Sequence, residues 1–515
     1  MNNSEGYNFN DLFVFEMANN HQGSIDLGKS IIEMCSELSK KHKIRSAIKF
    51  QFRQLESFIH PDYINADEPT HIKRFLSTKL SKEEFKEMAE YAKSKGLITM
   101  CTPFDEVSVD VIDEIGFDII KIGSCSAIDW PLLEKVSEYN YPVIISTGGL
   151  QINDVDKIVS FFDHKGIDFA IMHCVSMYPT PTELLELNQI EIFKSRYPNT
   201  TIGWSTHEDP NDSDIVMLAH AKGARIFEKH VGVTNKELKN LNAYSATLKQ
   251  LDNWIEKYKK AKSASGSKSH IIRTDEEVKS INELRRGVYA KKTIPKGEKI
   301  NRKNVFFAMP YNDNQFFSGI WKEGLITKKK LKANEALMID DLIIPHDKKR
   351  LILQHHTHTI KAMLNEAKIQ LGSDFQVEFS HHYGLEEFQE YGAVLITLVN
   401  RLYCKKIIIQ TPGQEHPSHF HKKKEETFYV LSGELDTEID GVKRKISPGE
   451  QVLVLPGVWH SFNTKTGVIF EELSTTHYND DSFYKDKKIN KMDKSSRKTY
   501  VDHWGRFLLD EKISN

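Results

Sequence analysis

Lys49, Thr102, Lys121, Ser124, Ser146, Ser205, His207 and His230 each lie at or just past the end of a short apolar run. Two lysines with several hydroxyls suit an anionic, phosphorylated substrate. The ammonium groups supply charge, and hydroxyls and loop amides complete the set of donors. Two imidazoles can hold one Mn²⁺, Zn²⁺ or Fe²⁺ and leave positions open for substrate oxygens. Glu16 and Gln51 remain for substrate orientation or proton transfer. Simpler readings stand beside these. The histidines could only hydrogen-bond, and each lysine could form a structural ion pair with a barrel acid such as Glu16. Glu228, two residues before His230, points the same way along a strand and could orient a ligand.

Such scattered residues act together only if the chain gathers them. Strands are expected to start near Leu12, Arg45, Leu97, Phe117, Pro142, Asp168, Thr201 and Ala224. Stretches at 25–41, 81–95 and 130–139 have apolar residues at helical spacing. Eight strand–helix units in about 250 residues is the size of a (β/α)8 TIM barrel, which brings the C-terminal ends of its strands to one mouth. A doubly wound open sheet is the rival. It is disfavoured because polar residues end nearly every strand instead of clustering at one switch point.

The whole chain has 515 residues, enough for two or three domains. Lys+Arg (70) and Asp+Glu (72) nearly cancel, so no net field favours nucleic acid or an acidic membrane. No apolar stretch approaches the roughly 20 residues of a membrane helix. Five cysteines (Cys35, Cys101, Cys125, Cys174, Cys404) without CxxC spacing fit reduced thiols in a cytoplasmic protein. The first five residues lack the basic-then-apolar pattern of a secretory signal. Residues 262–270 read as a linker, 283–345 as a compact strand-rich unit, and 345–350 as a charged break. From about 370 to 478, short strands punctuated by glycines indicate an antiparallel barrel or sandwich. The lysine-rich tail beyond 480 is expected to wrap the surface or be partly disordered. The expected divisions are 1–265, 280–346, 360–480 and a tail at 481–515.

The segments FEMANNHQGS (15–24), IKFQ (48–51), CTPFD (101–105), KIGS (121–124), ISTGG (145–149), MHCVSMYPTP (172–181), IGWSTH (202–207) and EKHVG (228–232) occur in that order. As an ordered set they resemble the sialic acid (N-acylneuraminate) synthases, which condense phosphoenolpyruvate with an N-acyl hexosamine. The segment RRGVYAKKTIPKGEKINRKNV within 283–345 resembles the antifreeze-like SAF domain that follows the barrel in that family. The resemblance implies a (β/α)8 barrel followed by a small SAF β-rich domain, and a homodimer in which the SAF unit caps the partner's pocket. A plain packing module is the alternative for that unit.

By the same resemblance, Lys49, Thr102, Lys121, Ser124, Ser146 and Ser205 match positions that hold phosphoenolpyruvate, and His207 and His230 match Mn²⁺ ligands. Glu16, Gln51 and Tyr178 match positions lining the acceptor sugar, and Ser176 in the same loop as Tyr178 joins the substrate-binding set. Glu16, Lys49 and Lys121 are the expected catalytic groups. The departures fall on the acceptor side. Ser126 stands for a glutamate, Met309 for an arginine, and Leu241 or a neighbouring Asn for an aspartate. They imply a changed acceptor.

Gly413, His419, His421, Glu426 and Gly433 match the first motif of the cupins in every spacing, and 449–460 supplies the third histidine. Pro456 sits one place late and Asn463 one place early against the second motif. The resemblance implies a C-terminal cupin β-barrel in which His419, His421, Glu426 and His460 surround a second divalent cation. Isomerisation or epimerisation of the acceptor, sugar sensing and dimer formation are all open for it. His381 and His382 are expected at the surface and not as ligands.

The sequence thus predicts an enzyme, a phosphoenolpyruvate-dependent synthase of sialic acid-type 2-keto-3-deoxy sugar acids that releases phosphate. The rivals are an inactive barrel with a cupin sensor, and a bifunctional synthase–isomerase.

Overall fold

The computed structural model describes residues 6–64, 70–234, 241–267, 273–345, 349–372, 375–493 and 496–502. The chain divides into two compact units, Met1–Ile272 and Arg273–Asn515.

In the first unit, strands β1–β8 (Leu12–Glu16, Arg45–Phe52, Ile98–Pro103, Ile119–Ile122, Val143–Ser146, Phe169–Cys174, Thr201–Thr206, Ile226–His230) form a closed parallel barrel. Helices α1–α8 (Ile25–His42, Lys82–Ser94, Glu106–Ile115, Trp130–Ser137, Ile152–Lys165, Asn188–Arg196, Ile215–Lys222, Leu248–Ser265) follow the strands in turn. The final helix runs into the stretch expected to be a linker, through Ser265; residues 268–270 of that stretch lie outside the described residues.

Alternation along each strand explains both the core and the site. Outward residues such as Phe13, Phe15, Phe50 and Phe227 join the helices, and Phe13 meets Trp254 and Tyr258 edge-on at 5.7 and 4.9 Å. Inward residues at the strand starts, including Val14, Ala47, Met100, Ile119, Ile144, Met172 and Ile226, make an apolar floor. Two residues further on, the same face carries Glu16, Lys49, Thr102, Lys121, Ser146, Cys174 and Glu228. Gly203 completes the floor because a Cβ there would lie 2.8 Å from Ile226 and 2.9 Å from Met172.

In the second unit, short strands β9–β13 (Gly287–Ala290, Lys299–Ile300, Val305–Ala308, Leu325–Thr327, Leu342–Ile343) surround a small core that includes Val288, Ile300, Phe316 and Leu331. Of the charged break that follows, 346–348 lie outside the described residues. Strands β14–β25 (Gln376–Ser380, Ala393–Asn400, Tyr403–Gln410, Glu415–Phe420, Glu426–Gly433, Leu435–Ile439, Val442–Ile446, Gln451–Val454, His460–Asn463, Val468–Thr475, Phe483–Tyr484, Lys498–Asp502) form two antiparallel sheets. One core joins both sheets through Ile408, Phe428, Leu435, Phe462 and Phe470. A helix at Lys349–Glu366 packs Leu353, Ile360 and Leu364 on the larger sheet.

Part of the tail beyond 480 adds a strand to the edge of the larger sheet. Strand β25 pairs with β14 along five residues, because an open sheet edge offers unpaired backbone groups. Residues 503–515 of that tail lie outside the described residues.

Candidate active site

The C-terminal ends of the barrel strands open into a cavity of about 870 Å³. The twelve barrel residues expected to act on substrate or metal line it: Glu16, Lys49, Gln51, Thr102, Lys121, Ser124, Ser146, Ser176, Tyr178, Ser205, His207 and His230.

At its base Lys49 and Lys121 are 4% and 1% exposed and share one counter-ion. Lys49 Nζ lies 2.8 Å from Glu228 Oε1, and Lys121 Nζ lies 3.7 Å from Glu228 Oε2. Lys49 also pairs with Glu16. Burial alone would raise the Glu228 carboxyl, but Lys121 and Lys49 hold it well below the ordinary carboxylate range. Burial raises Glu16, reinforced by Glu228 and opposed by Lys49. Burial lowers Lys121, whereas in Lys49 the two carboxylates overcome burial and raise the ammonium. The ion-pair reading of the lysines therefore holds in the chain by itself, and it is compatible with anion binding.

Hydroxyls surround the pair. Lys121 Nζ donates to Ser146 Oγ at 2.5 Å, and Ser205 donates to Glu228 Oε1 at 3.1 Å. Ser124 Oγ accepts from the Gly148 amide at 2.9 Å, and the buried Thr102 hydroxyl has no partner among the described residues. Above them the His207 and His230 rings lie 5.3 Å apart, with Tyr178 4.1 Å from His207. His207 Nδ1 donates to the Val175 carbonyl at 2.9 Å, which fixes the tautomer whose Nε2 carries the lone pair a metal needs. His230 Nδ1 is buried without a partner among the described residues. Burial pushes both imidazoles down to about 3, so both are neutral near pH 7. The donor set fits a divalent cation.

Sequence reasoning missed Arg53, His71, Arg74, Phe75 and Phe104, which line the same cavity. Arg53 falls two residues after Gln51 on the inward alternation, so its position was legible, although its packing was not. Of the acceptor-side departures, Leu241 lines the cavity, and Ser126 is buried outside its lining.

In the second unit His419, His421 and His460 converge, their ligand atoms all within 4.8 Å of one another. Each Nδ1 donates to a backbone carbonyl: Pro417 for His419, Asp481 for His421 and Val458 for His460. The buried Nε2 atoms of His421 and His460 both face the Glu426 carboxylate, a grouping of donors that fits a metal ion. Glu426 lies 3.5 Å from His421 and 3.2 Å from His460, and it also pairs with the buried Lys424, which the motif does not reveal. His381 and His382 are buried and not on the surface. His382 stands 4.5 Å from His416, which is 4.7 Å from His419, so the histidine row extends from the triad into the core. The folding of β14 against β25 covers them, a contact no local pattern announces.

Residues 39–270 match the NeuB family. The uncharacterized protein MJ1065 of Methanocaldococcus jannaschii is 32% identical, over 63% of this chain and 92% of its own length. The chain belongs to the NeuB family. This NeuB-family chain is also 26% identical to the N,N'-diacetyllegionaminic acid synthase of Campylobacter jejuni, over 63% of the chain and 98% of that protein. The crystal structure of a putative spore coat polysaccharide biosynthesis protein E from Chromobacterium violaceum superposes with a TM-score of 0.63 at 39% identity. It covers 65% of this chain and is itself covered completely. Residues 407–471 match the cupin domain. All five cysteines are free, and no helix among the described residues is long and apolar enough to cross a membrane.

Proposed function

We propose that the barrel condenses phosphoenolpyruvate with the open-chain aldehyde of an N-acyl hexosamine or related aldose, forming a 2-keto-3-deoxy sugar acid and phosphate. The observation that carries this reading is the joining of Lys49 and Lys121 through Glu228 in the cavity that also holds the imidazoles of His207 and His230.

In this reading Lys49 and Lys121, with Thr102, Ser124, Ser146 and Ser205, hold the phosphate and carboxylate of phosphoenolpyruvate. Gln51, Ser176 and Tyr178 orient the sugar. His207 and His230 would hold a divalent ion, which supplies Lewis-acid polarisation of the aldehyde when bound. The enol carbon of phosphoenolpyruvate bonds to the aldehyde carbon, and Glu16 gives its proton to the aldehyde oxygen. Burial keeps that carboxyl protonated more readily than an exposed glutamate. Water then adds at C2 and returns one proton to Glu16. The C2–O bond to phosphorus breaks, C2 becomes a ketone, and the second water proton leaves with phosphate.

In the cupin, His419, His421 and His460, with Glu426 beside them, would hold a second divalent metal. Metal analysis of the purified chain is expected to find it, and His419→Ala to remove it.

Phosphate release from phosphoenolpyruvate, measured with a panel of aldoses, tests the main reading. Release should require a sugar, and His230→Ala should abolish it while the circular dichroism spectrum is kept. Full turnover by that variant would remove the imidazole from the mechanism. Sugar binding without any release would favour an inactive barrel.

A further inference from the structure

The cavity wall above the lysines carries a cation that the reaction just derived leaves idle. Lys49 and Gln51 share the inward face of their strand, and Arg53, just past its end, reaches Gln51, which separates its guanidinium from the Glu16–Lys49 pair.

The Arg53 guanidinium is held between two rings, 3.6 Å from the centroid of Phe104 and 4.0 Å from that of Phe75. Its Nη2 donates to Gln51 Oε1 at 3.0 Å, while its buried Nε has no acceptor among the described residues. Glu16 and Glu228 are the only carboxylates among the described lining residues, and both are engaged by lysines. Burial pushes the Arg53 guanidinium down to about 10, the mark of a charge short of a counter-ion. Arg74 lines the same cavity and adds a second positive charge. With two rings this close to the guanidinium carbon, its N–H groups are left for recognition, a donor set that suits a planar or tetrahedral oxyanion.

The path between the two ends is continuous. An aldehyde at His207 and His230, at the ends of β7 and β8, has Glu16 on β1 and Gln51 on β2 between it and Arg53. Gln51 joins the two, donating to Glu16 at 3.4 Å and accepting from Arg53.

We propose that Arg53 recognises an anionic group, phosphoryl or carboxylate, at the end of the acceptor remote from its aldehyde, so that the acceptor is a charged sugar. This rests on the synthase reading above. The test uses the full chain with Mn²⁺, phosphoenolpyruvate and three matched acceptors: a neutral N-acyl hexosamine, its 6-phosphate and the corresponding uronic acid. A charged acceptor is expected to give the higher kcat/KM, and which of the two does so identifies the group. Arg53→Met is expected to reduce the charged-to-neutral ratio of kcat/KM about 10- to 100-fold, mainly through KM, as loss of a charge-assisted hydrogen bond requires. Arg53→Lys should restore only part, since an ammonium keeps the charge and loses the stacked fork. Turnover of the neutral sugar at an equal or higher kcat/KM, or an unchanged ratio in Arg53→Met, overturns the proposal and leaves the synthase intact. Absence of release with all three acceptors overturns the synthase reading itself.

Discussion

The buried lysines are tolerable only because each meets a carboxylate. Glu228 faces both, with Ser205 and Lys49 on one oxygen and Lys121 near the other. Removing one partner of a buried pair leaves an uncompensated charge, so Glu228→Gln should destabilise the barrel by about 3–5 kcal/mol. Phosphoenolpyruvate would supply the missing negative charge. Thermal melts should therefore show a larger rise in Tm on adding it to the variant than to the unmodified chain. Equal shifts would mean that the ligand does not sit on these lysines. The strand pattern made the lysines visible, and it put Glu228 on the same side of its strand as His230 without naming it as the lysines' partner. Its bond to Lys49 spans 179 positions, and no spacing rule reaches that far.

At the scale of elements, the loop after β5 is shaped by a missing side chain. A Cβ on Gly148 would lie 2.4 Å from Ser176 Oγ and 2.9 Å from Ser124 Oγ, and its amide donates to that same Ser124 oxygen. Gly148→Ala must displace both hydroxyls while leaving the strands in place. KM for phosphoenolpyruvate is expected to rise about tenfold, the worth of one hydrogen bond to a charged group. Steady-state kinetics checks this, and an unchanged KM would put the phosphate elsewhere. The ISTGG segment was legible as part of an ordered motif set. That its glycine makes room for serines from two other loops was not, because those loops meet only when the barrel closes.

Across the whole molecule, buried imidazoles make acid the weak condition. Burial pushes His21, His356 and His381 down to about 4 from an ordinary 6.5. Unfolding exposes them, so the unfolded chain binds more protons between those limits. Their contribution is complete above about pH 6.5 and is lost as pH falls toward 4. Each imidazole that stays neutral costs about 1.4 kcal/mol per pH unit in that window. The urea midpoint should be clearly lower at pH 5 than at pH 7.5, and a flat profile would contradict the burial of these rings.

What the sequence by itself determined is the direction in which side chains point. Two-residue alternation put Glu16, Lys49, Lys121, Ser146 and Glu228 on one face of their strands, and eight such strands in order imply a mouth where they meet. The histidine spacing at 419 and 421 likewise places both rings on one side of a strand. Only the tertiary structure decided the pairings: which acid each lysine holds, the clamping of Arg53 by Phe75 and Phe104, the entry of Lys424 beside Glu426, and the burial of His381 and His382. The reason is physical. Pointing is a property of local backbone geometry, whereas partnership and burial depend on which distant segments closure brings within a few ångströms.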